Sequence, residues 1–216
     1  MQQREVGYLV VEGPIGVGKT TLARRLAESF GSELLLEAAD ENPFLKGFYR
    51  NRRRGALPTQ LFFLLQRARQ IEVLNQADMF QPVWISDFLM EKDRLFAELT
   101  LDEQELRLYE QVYAHTVPDV RTPDLVIYLQ APVDVLLRRI ARRGNAEEQR
   151  ISAAYLQRLC DAYARFFHSY EASPLLIVNA AGIDLVDRQD DYAALLDEVR
   201  SVTSGRHYFN RMTGVI

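Results

Sequence analysis

The sequence predicts an α/β fold in which helices cover both faces of a parallel sheet, giving a three-layer α/β/α sandwich. Three observations predict this class. Several short apolar runs lack the alternation of a half-exposed strand, as strands buried on both faces do. Longer segments with helical periodicity separate these runs. A glycine-rich segment, 13–20, directly follows the first run, which is typical of a strand that turns sharply into a helix.

Five apolar runs predict a five-stranded parallel sheet: 8–11, 34–36, 83–86, 125–129 and 175–178. The segments between and after them predict helices: 21–30, 57–78, 102–117, 132–144, 151–170 and 190–202. Pro58 is expected to open the second of these helices, and the third must stop before Pro118, because proline disrupts a helix interior. The tail, 205–216, shows no pattern. We expect a single domain over 1–216, because no linker composition interrupts the chain.

The composition argues against several classes of function. A formal net charge of −4 gives no general attraction to nucleic acid. No apolar run approaches the roughly 20 residues that span a bilayer, and the amino end lacks the apolar core of a secretion signal, so we expect a cytoplasmic protein with no membrane partner. Cys160 has no intrachain partner and is expected to serve packing. The three histidines lack ligand spacing, so a His/Cys metal site is not expected.

A nucleoside triphosphate site is predicted between the first strand and the first helix. Backbone N–H groups surround phosphate oxygens only where no Cβ blocks them, which accounts for the glycines of this segment. Lys19 would reach the β- and γ-phosphates, and the Thr20 hydroxyl would bind Mg²⁺. The residues expected to bind ATP, or another nucleoside triphosphate, are Gly13, Pro14, Ile15, Gly16, Val17, Gly18, Lys19, Thr20 and Thr21.

Two acidic residues follow the second and third predicted strands. In open α/β sheets the ligand lies beyond the carboxyl ends of the strands, so Glu37 and Asp87 are expected near the triphosphate. Asp87 is an acidic Mg²⁺ partner to Thr20 in one interpretation and a helix cap in the other. Glu37 either orients or deprotonates an acceptor hydroxyl, or is a solvated residue at a strand end.

A basic helix follows the fourth predicted strand. Four arginines lie on two faces of the helix 132–144, and Gly144 offers a hinge for a lid over about 139–151. Such a lid would carry arginines to a migrating phosphoryl group, whereas the simpler interpretation is a solvated face paired with nearby glutamates. A second basic cluster, 50–54, is expected to be a solvated loop, with a contact to nucleic acid as the alternative. The arginines of the helix are Arg138, Arg139, Arg142 and Arg143.

One face of the predicted helix 57–78 is mixed in character. Gln60, Phe63, Leu64 and Arg67 share this face through their spacing of 3, 4 and 7. A carboxamide and a guanidinium beside an aromatic ring suit a flat heterocycle that needs both stacking and hydrogen bonds. The alternative is an amphipathic helix whose polar ends meet solvent.

Together these residues resemble the deoxynucleoside kinase family over about 8–199. Besides the glycine-rich segment, 41–45 (ENPFL) and 57–67 (LPTQLFFLLQR) resemble the bacterial deoxyadenosine/deoxyguanosine branch, and 139–156 resembles the family's lid. The resemblance implies a P-loop kinase fold, ATP and Mg²⁺, a deoxynucleoside substrate and a homodimer formed through a helical face. It also makes Glu37 the catalytic base at the sugar 5′-hydroxyl.

The resemblance implies roles for acceptor-side residues as well. Tyr49 and Glu148 match a pair at the sugar 3′-hydroxyl, and Gln60 matches a residue that hydrogen-bonds the base. Arg67 and Asp93 match a pair that favours bases with an exocyclic amine.

On the donor side, the resemblance assigns Asp87 to the metal and both Arg139 and Arg143 to the phosphates. Lys19 joins these arginines in neutralising the transferred group.

Two positions depart from the family pattern. Phe88 stands where the family usually has an arginine that supports the 5′-oxygen, and Asn145 stands where the lid usually has another arginine. Lys92, which is four residues beyond Phe88, or Arg142 in the lid would restore part of this charge.

The sequence therefore predicts transfer of the ATP γ-phosphoryl group to the 5′-hydroxyl of deoxyadenosine, deoxyguanosine or deoxycytidine, with purines favoured. Two alternatives stay open. A thymidylate-type nucleoside monophosphate kinase shares the cradle and the lid, and 50–54 would then bind the acceptor phosphate. A nucleotide-binding regulator with weak or no turnover would account for Phe88 and Asn145.

Overall fold

A parallel sheet of six strands forms the centre of the structure, a computed structural model that describes residues 7–76, 83–117, 119–183 and 188–211, with the backbone alone at 52–54. The strands are β1 (Tyr8–Glu12), β2 (Glu33–Leu35), β3 (Trp84–Ser86), β4 (Leu125–Gln130), β5 (Leu175–Asn179) and β6 (Arg206–Phe209). Their order in the sheet is β2-β3-β1-β4-β5-β6. Every residue of β1 and all but the last of β4 are buried, so helices cover both faces of the sheet centre. The predicted α/β class is confirmed.

Eight α-helices surround the sheet within the described residues. They are α1 (Lys19–Phe30), α2 (Leu45–Arg50), α3 (Arg52–Gln76), α4 (Lys92–Thr100), α5 (Glu103–Thr116), α6 (Val133–Arg143), α7 (Ala153–His168) and α8 (Gln189–Ser201). None of these described helices combines the length and the apolar character that crossing a bilayer requires. All six predicted helices are present, although the predicted end of one, 77–78, lies outside the described residues. α2 and α4 were not predicted.

The prediction that Pro58 opens its helix is wrong. α3 begins at Arg52 and runs through the proline, whose fixed φ suits a helix and whose ring removes one backbone donor. The basic cluster 50–54 is consequently not a loop for most of its length. Arg50 ends α2, Asn51 separates the two helices, and 52–54 form the first turn of α3.

The predicted count of five strands is also wrong, because part of the unplaced tail adds a sixth. β6 pairs in parallel with β5, with Arg206 opposite Leu175 and Phe209 opposite Val178. Its side chains alternate between exposed and half-buried, so the backbone ladder holds it at the sheet edge without a continuous apolar run. The end of the tail, 212–216, lies outside the described residues.

Candidate active site

The glycine-rich segment forms a cradle between β1 and α1. Gly13 has φ 149°, and a Cβ at this position would lie 2.3 Å from the backbone oxygen of Leu129 on β4. Gly18 has φ 106° and precedes α1, whose first N–H groups receive no side-chain cap. Glycine is therefore required for the turn, and the helix N-terminus is left facing a site suited to an anion.

A cavity opens beyond the carboxyl ends of the central strands. Among the predicted cradle residues, those that line it are Ile15, Gly16, Gly18, Lys19 and Thr20. The other cradle residues, which lie outside this lining, are Gly13, Pro14, Val17 and Thr21. Beyond the cradle, the predicted residues in the lining are Glu37, Tyr49, Gln60, Arg67, Asp87, Arg143 and Glu148. Most of the predicted site residues are thus brought together.

Lys19 folds its side chain back over the cradle. Its Nζ donates to the backbone oxygen of Gly13 at 2.7 Å and approaches that of Pro14 at 3.4 Å. Burial lowers the pKa of Lys19, and the nearby Glu12 carboxylate works in the opposite direction. The ammonium is positioned inside the turn that would surround a phosphate chain.

Thr20 and Asp87 place two oxygens side by side. The Thr20 hydroxyl donates to Asp87 Oδ2 at 2.5 Å, and Asp87 Oδ1 accepts the Glu37 N–H at 2.7 Å. Burial raises the pKa of Asp87, while the hydrogen bond from Thr20 works against this rise. A hydroxyl and a carboxylate are hard oxygen donors, and Mg²⁺ in such sites takes one or two carboxylates plus phosphate oxygens and waters. The donor set therefore fits Mg²⁺.

Glu37 projects into the cavity among cations. Its side chain is 19% exposed and forms ion pairs with Arg67 and with Lys92, whose Nζ lies 3.6 Å from Oε1. Burial alone would raise the pKa of Glu37, but Arg67, Lys92 and Lys19 outweigh it and lower this pKa to about 2. Glu37 is ionised throughout the physiological range.

Arg67 connects Glu37 to a second carboxylate behind the cavity wall. One nitrogen donates to Glu37 and the other to Asp93, which also accepts the Tyr109 hydroxyl. Asp93 is completely enclosed and does not line the cavity. The predicted Arg67 and Asp93 pair is thus present as a contact, and it fixes the guanidinium between two carboxylates.

Aromatic rings and a carboxamide form the wall next to Arg67. Gln60 and Phe63 line the cavity from α3, and Phe96 lines it from α4. Gln60 is 3% exposed, and its Nε2 lies 3.3 Å from the Thr100 hydroxyl. Rings that stack and an amide that hydrogen-bonds are the groups that recognise a nucleobase.

Residues of the predicted lid line the remaining side of the cavity. α6 ends at Arg143 and is capped by Gly144, with φ 75°. Arg143 Nη1 lies 3.2 Å from both carboxylate oxygens of Glu148. Glu147 accepts from Arg50 of α2 at 2.9 Å. Burial raises the pKa of Tyr49, and the Glu148 carboxylate raises it further. Tyr49 and Glu148 therefore lie within electrostatic reach of each other.

Arg139 lies outside the cavity lining. Its guanidinium donates to the backbone oxygens of Val17, Ala180 and Ile183 at 3.0, 2.7 and 3.3 Å. In this structure Arg139 ties the cradle to the segment after β5. Of the two residues considered as replacements for the missing arginine, Lys92 lines the cavity, whereas Arg142 is exposed on α6.

Sequence reasoning missed several residues of the cavity wall, including Phe96, Thr59 and Tyr155. A helical spacing of four connects Lys92 to Phe96, and this signal required α4 to be identified first. Phe88 is fully buried, and its N–H and C=O both bond the Ser86 hydroxyl, so the residue at this departure belongs to the core.

Comparison with known proteins agrees with this geometry. A family model for deoxynucleoside kinase matches residues 9–204. The deoxyguanosine kinase of Bacillus subtilis (strain 168) is 34% identical over 203 residues, which cover 90% of this chain and 97% of that protein. The deoxyadenosine kinase of Lactobacillus acidophilus is 30% identical over 209 residues, which cover 90% of this chain and 95% of that protein.

Solved structures share the fold. A deoxyadenosine kinase from M. mycoides with the products dCMP and a flexible dCDP bound has a TM-score of 0.79 at 23% identity, covering 90% of this chain and all of that chain. The same kinase with bound dATP has a TM-score of 0.76 at 22% identity.

Proposed function

We infer the reaction from the family to which the chain belongs, that of the deoxynucleoside kinases. The protein is a phosphotransferase that phosphorylates a deoxynucleoside with ATP. This membership decides against a regulator without turnover and against a monophosphate acceptor. The observation that carries the mechanism is the double role of Asp87, which bonds the Glu37 backbone with one oxygen and the Thr20 hydroxyl with the other. The acceptor-side carboxylate is thereby held next to the donor-side ligands.

Glu37 positions the sugar 5′-hydroxyl for attack in the proposed mechanism. The hydroxyl oxygen forms a bond to the γ-phosphorus, the bond from this phosphorus to the β–γ bridging oxygen breaks, and ADP leaves. A carboxylate with a pKa of about 2 is a weak base, so Glu37 mainly orients the hydroxyl. It accepts the proton late, when the new bond is largely formed, which suits a loose phosphoryl-transfer transition state.

Cations and a metal stabilise the charge on the transferred group. Lys19 supplies an ammonium inside the cradle, and Arg143 reaches the cavity from the lid. Arg139 acts on the phosphates through the cradle backbone that it holds. Thr20 and Asp87 would hold Mg²⁺, which neutralises charge on the β- and γ-phosphate oxygens when it is bound.

The acceptor is a purine deoxynucleoside in this proposal, with deoxycytidine as a further amino-bearing substrate. Gln60 and Arg67 present hydrogen-bonding groups beside Phe63, which suits a flat base with both an amine and a ring nitrogen. Tyr49 and Glu148 are assigned to the sugar 3′-hydroxyl. The B. subtilis and L. acidophilus relatives, named for deoxyguanosine and deoxyadenosine, favour a purine.

We also propose a homodimer through the outer faces of α3 and α5. These two helices pack against each other, and they expose Leu65, Val73 and Leu108 at 44%, 55% and 47%. Burying apolar side chains of this size against a second copy is favourable.

Light scattering should give twice the chain mass for the wild type and the single mass for Leu65→Arg. A wild-type monomer at micromolar concentration would contradict the dimer.

The test of the reaction is a panel of deoxynucleosides and ribonucleosides with ATP and Mg²⁺, read out by monophosphate formation. Turnover should be fastest with deoxyguanosine or deoxyadenosine. Glu37→Gln should lower kcat about 10²–10⁴-fold. Glu33→Gln, which makes the same change at an exposed position on β2, should retain wild-type kcat. Equal rates for the two variants would refute the role of Glu37.

A further inference from the structure

We propose that Lys92 is a positioning residue that holds Glu37 at the transfer site by bridging it to Glu12 at the base of the cradle. This inference rests on the proposed function of Glu37 and adds a residue to its support. The bridge runs from the end of β1 to the segment after β2, with the Lys92 ammonium 3.6 Å from a carboxylate oxygen at each end.

Glu12 forms the fixed end of this bridge. It is the last residue of β1 and is completely buried. Its Oε1 accepts the Gly13 N–H at 2.8 Å and the Tyr163 hydroxyl at 2.9 Å, while Oε2 accepts the Leu89 N–H at 2.9 Å. Three donors from three parts of the chain hold this carboxylate, so its position follows that of the cradle.

Lys92 forms the span of the bridge. It is the first residue of α4, is 1% exposed, and lies with Nζ 5.3 Å from the centre of the Phe96 ring. A buried ammonium requires counter-charges, and the two carboxylates supply them. The contacts at 3.6 Å exceed hydrogen-bond length, so Lys92 acts on both carboxylates mainly through its charge.

The two ends of the bridge depend on Lys92 to different degrees. Glu12 keeps three hydrogen bonds without it, whereas Glu37 has Arg67 as its other direct cation, and Arg67 is shared with Asp93. Glu37 also belongs to the cavity lining and is partly exposed. Loss of Lys92 should therefore be felt at Glu37 more than at Glu12.

Charged and titratable groups face Glu37 from several packed elements: Lys19 of α1, Tyr49 of α2, Arg67 of α3, Asp87 after β3, Lys92 of α4 and Tyr163 of α7. Three of them are cations, and together they outweigh the effect of burial on the Glu37 pKa. Removing one of these cations should leave the Glu37 carboxylate less firmly held.

The decisive variant is Lys92→Met, assayed for kcat and KM with ATP, Mg²⁺ and the best deoxynucleoside of the panel. We expect kcat at pH 7.5 to fall about 10–100-fold, because a misplaced reacting group costs about this much. The KM for ATP should stay at its wild-type value, so that the loss falls on kcat alone. Lys46→Met, the same change at an exposed lysine of α2, should match the wild type in both kcat and KM.

The double variant Glu12→Gln/Lys92→Met is the control for misfolding. It removes the buried anion together with the cation, so no buried charge loses its ion-pair partner at Glu12. It should show the same loss of kcat as Lys92→Met, with the KM for ATP unchanged. A lowered melting temperature with wild-type kcat would make Lys92 a structural counter-ion and overturn the inference. An active Glu37→Gln would instead refute the proposed role of Glu37, so the two failures are distinguishable.

Discussion

Two groups of ion pairs lie at or near the cavity, and their basic side chains differ in access to solvent. The acceptor-side network consists of Glu37, Arg67, Lys92 and Asp93; its two basic side chains are 4% and 2% exposed, and Glu37 is partly exposed. The lid pairs are Arg143 with Glu148 and Arg50 with Glu147, and their arginines are 52% and 62% exposed. The same chemical groups therefore meet in two different dielectric surroundings.

The difference in exposure predicts which charged groups keep their partners and which can exchange them. A buried charge that loses its partner is strongly destabilising, so the acceptor-side network should behave as one unit and hold its geometry before substrate binds. Exposed pairs contribute little and are screened by salt, so they exchange partners at small cost. In the proposed mechanism Arg143 releases Glu148 and takes up a phosphate oxygen, and an exposed pair allows this exchange.

The largest effect is expected from breaking the buried network. Asp93→Ala leaves Arg67 with one of its two carboxylates and should lower the free energy of unfolding by about 3–5 kcal/mol in a guanidinium titration. Asp134→Ala removes an exposed partner of Arg138 within α6 and should leave the unfolding midpoint unchanged. Similar midpoints for the two variants would remove the distinction between buried and exposed pairs.

Removing the lid arginine should affect turnover and leave stability alone. Arg143→Ala is expected to lower kcat by about 10²–10³-fold, as loss of a single electrostatic donor to a transition state does, with no change in melting temperature. Arg142→Ala changes the neighbouring arginine, which is exposed and does not line the cavity, and serves as the control. If the two variants lose the same activity, position in the lid does not decide the effect.

A series of unfolding measurements at different pH values tests the lowered pKa of Glu37. Its pKa is lowered to about 2 in the folded chain, against about 4.3 when unfolded, so its ionised form contributes stability above pH 4.3. That contribution is lost as the pH falls from about 4.3 toward 2. The difference in unfolding free energy between wild type and Glu37→Gln should shrink over this range. A difference that stays constant down to pH 2.5 would contradict the lowered pKa.

The smallest effect is expected for the pair between α2 and the lid. Arg50→Ala should keep kcat within about twofold of wild type and leave the unfolding midpoint unchanged, because an exposed ion pair is weak. Raising the NaCl concentration should likewise change the kcat and the unfolding midpoint of the wild type only slightly. A tenfold loss of kcat in Arg50→Ala would show that α2 holds the lid in place.

The sequence was sufficient to predict the elements whose burial follows a simple pattern. The central strands are apolar on both faces, and the cradle has a fixed spacing, so both were recognised. α4 was missed because its buried residues include Lys92 and Asp93, which break the apolar periodicity of the helix. β6 was missed because backbone pairing at the sheet edge, rather than apolar burial, places it.

The site was predictable by position, but of its ion pairs only that of Arg67 with Asp93 was expected, through the family resemblance. The rule that ligands lie beyond strand ends brought Glu37 and Asp87 together, and the structure joins them by one hydrogen bond. The ion pair of Glu37 with Arg67 spans 30 residues of chain, and that of Lys92 with Glu12 joins α4 to β1. Such pairings depend on side-chain directions that one sequence without relatives does not contain.

Arg139 connects two segments of the chain through backbone hydrogen bonds. Its planar guanidinium donates to the backbone oxygens of Val17 in the cradle and of Ala180 and Ile183 after β5. A lysine would keep the charge but lacks the rigid fork that spans these acceptors. Arg139→Lys should therefore weaken the connection between the cradle and the segment after β5. A substitution usually considered conservative would then remove these hydrogen bonds much as truncation of the side chain would.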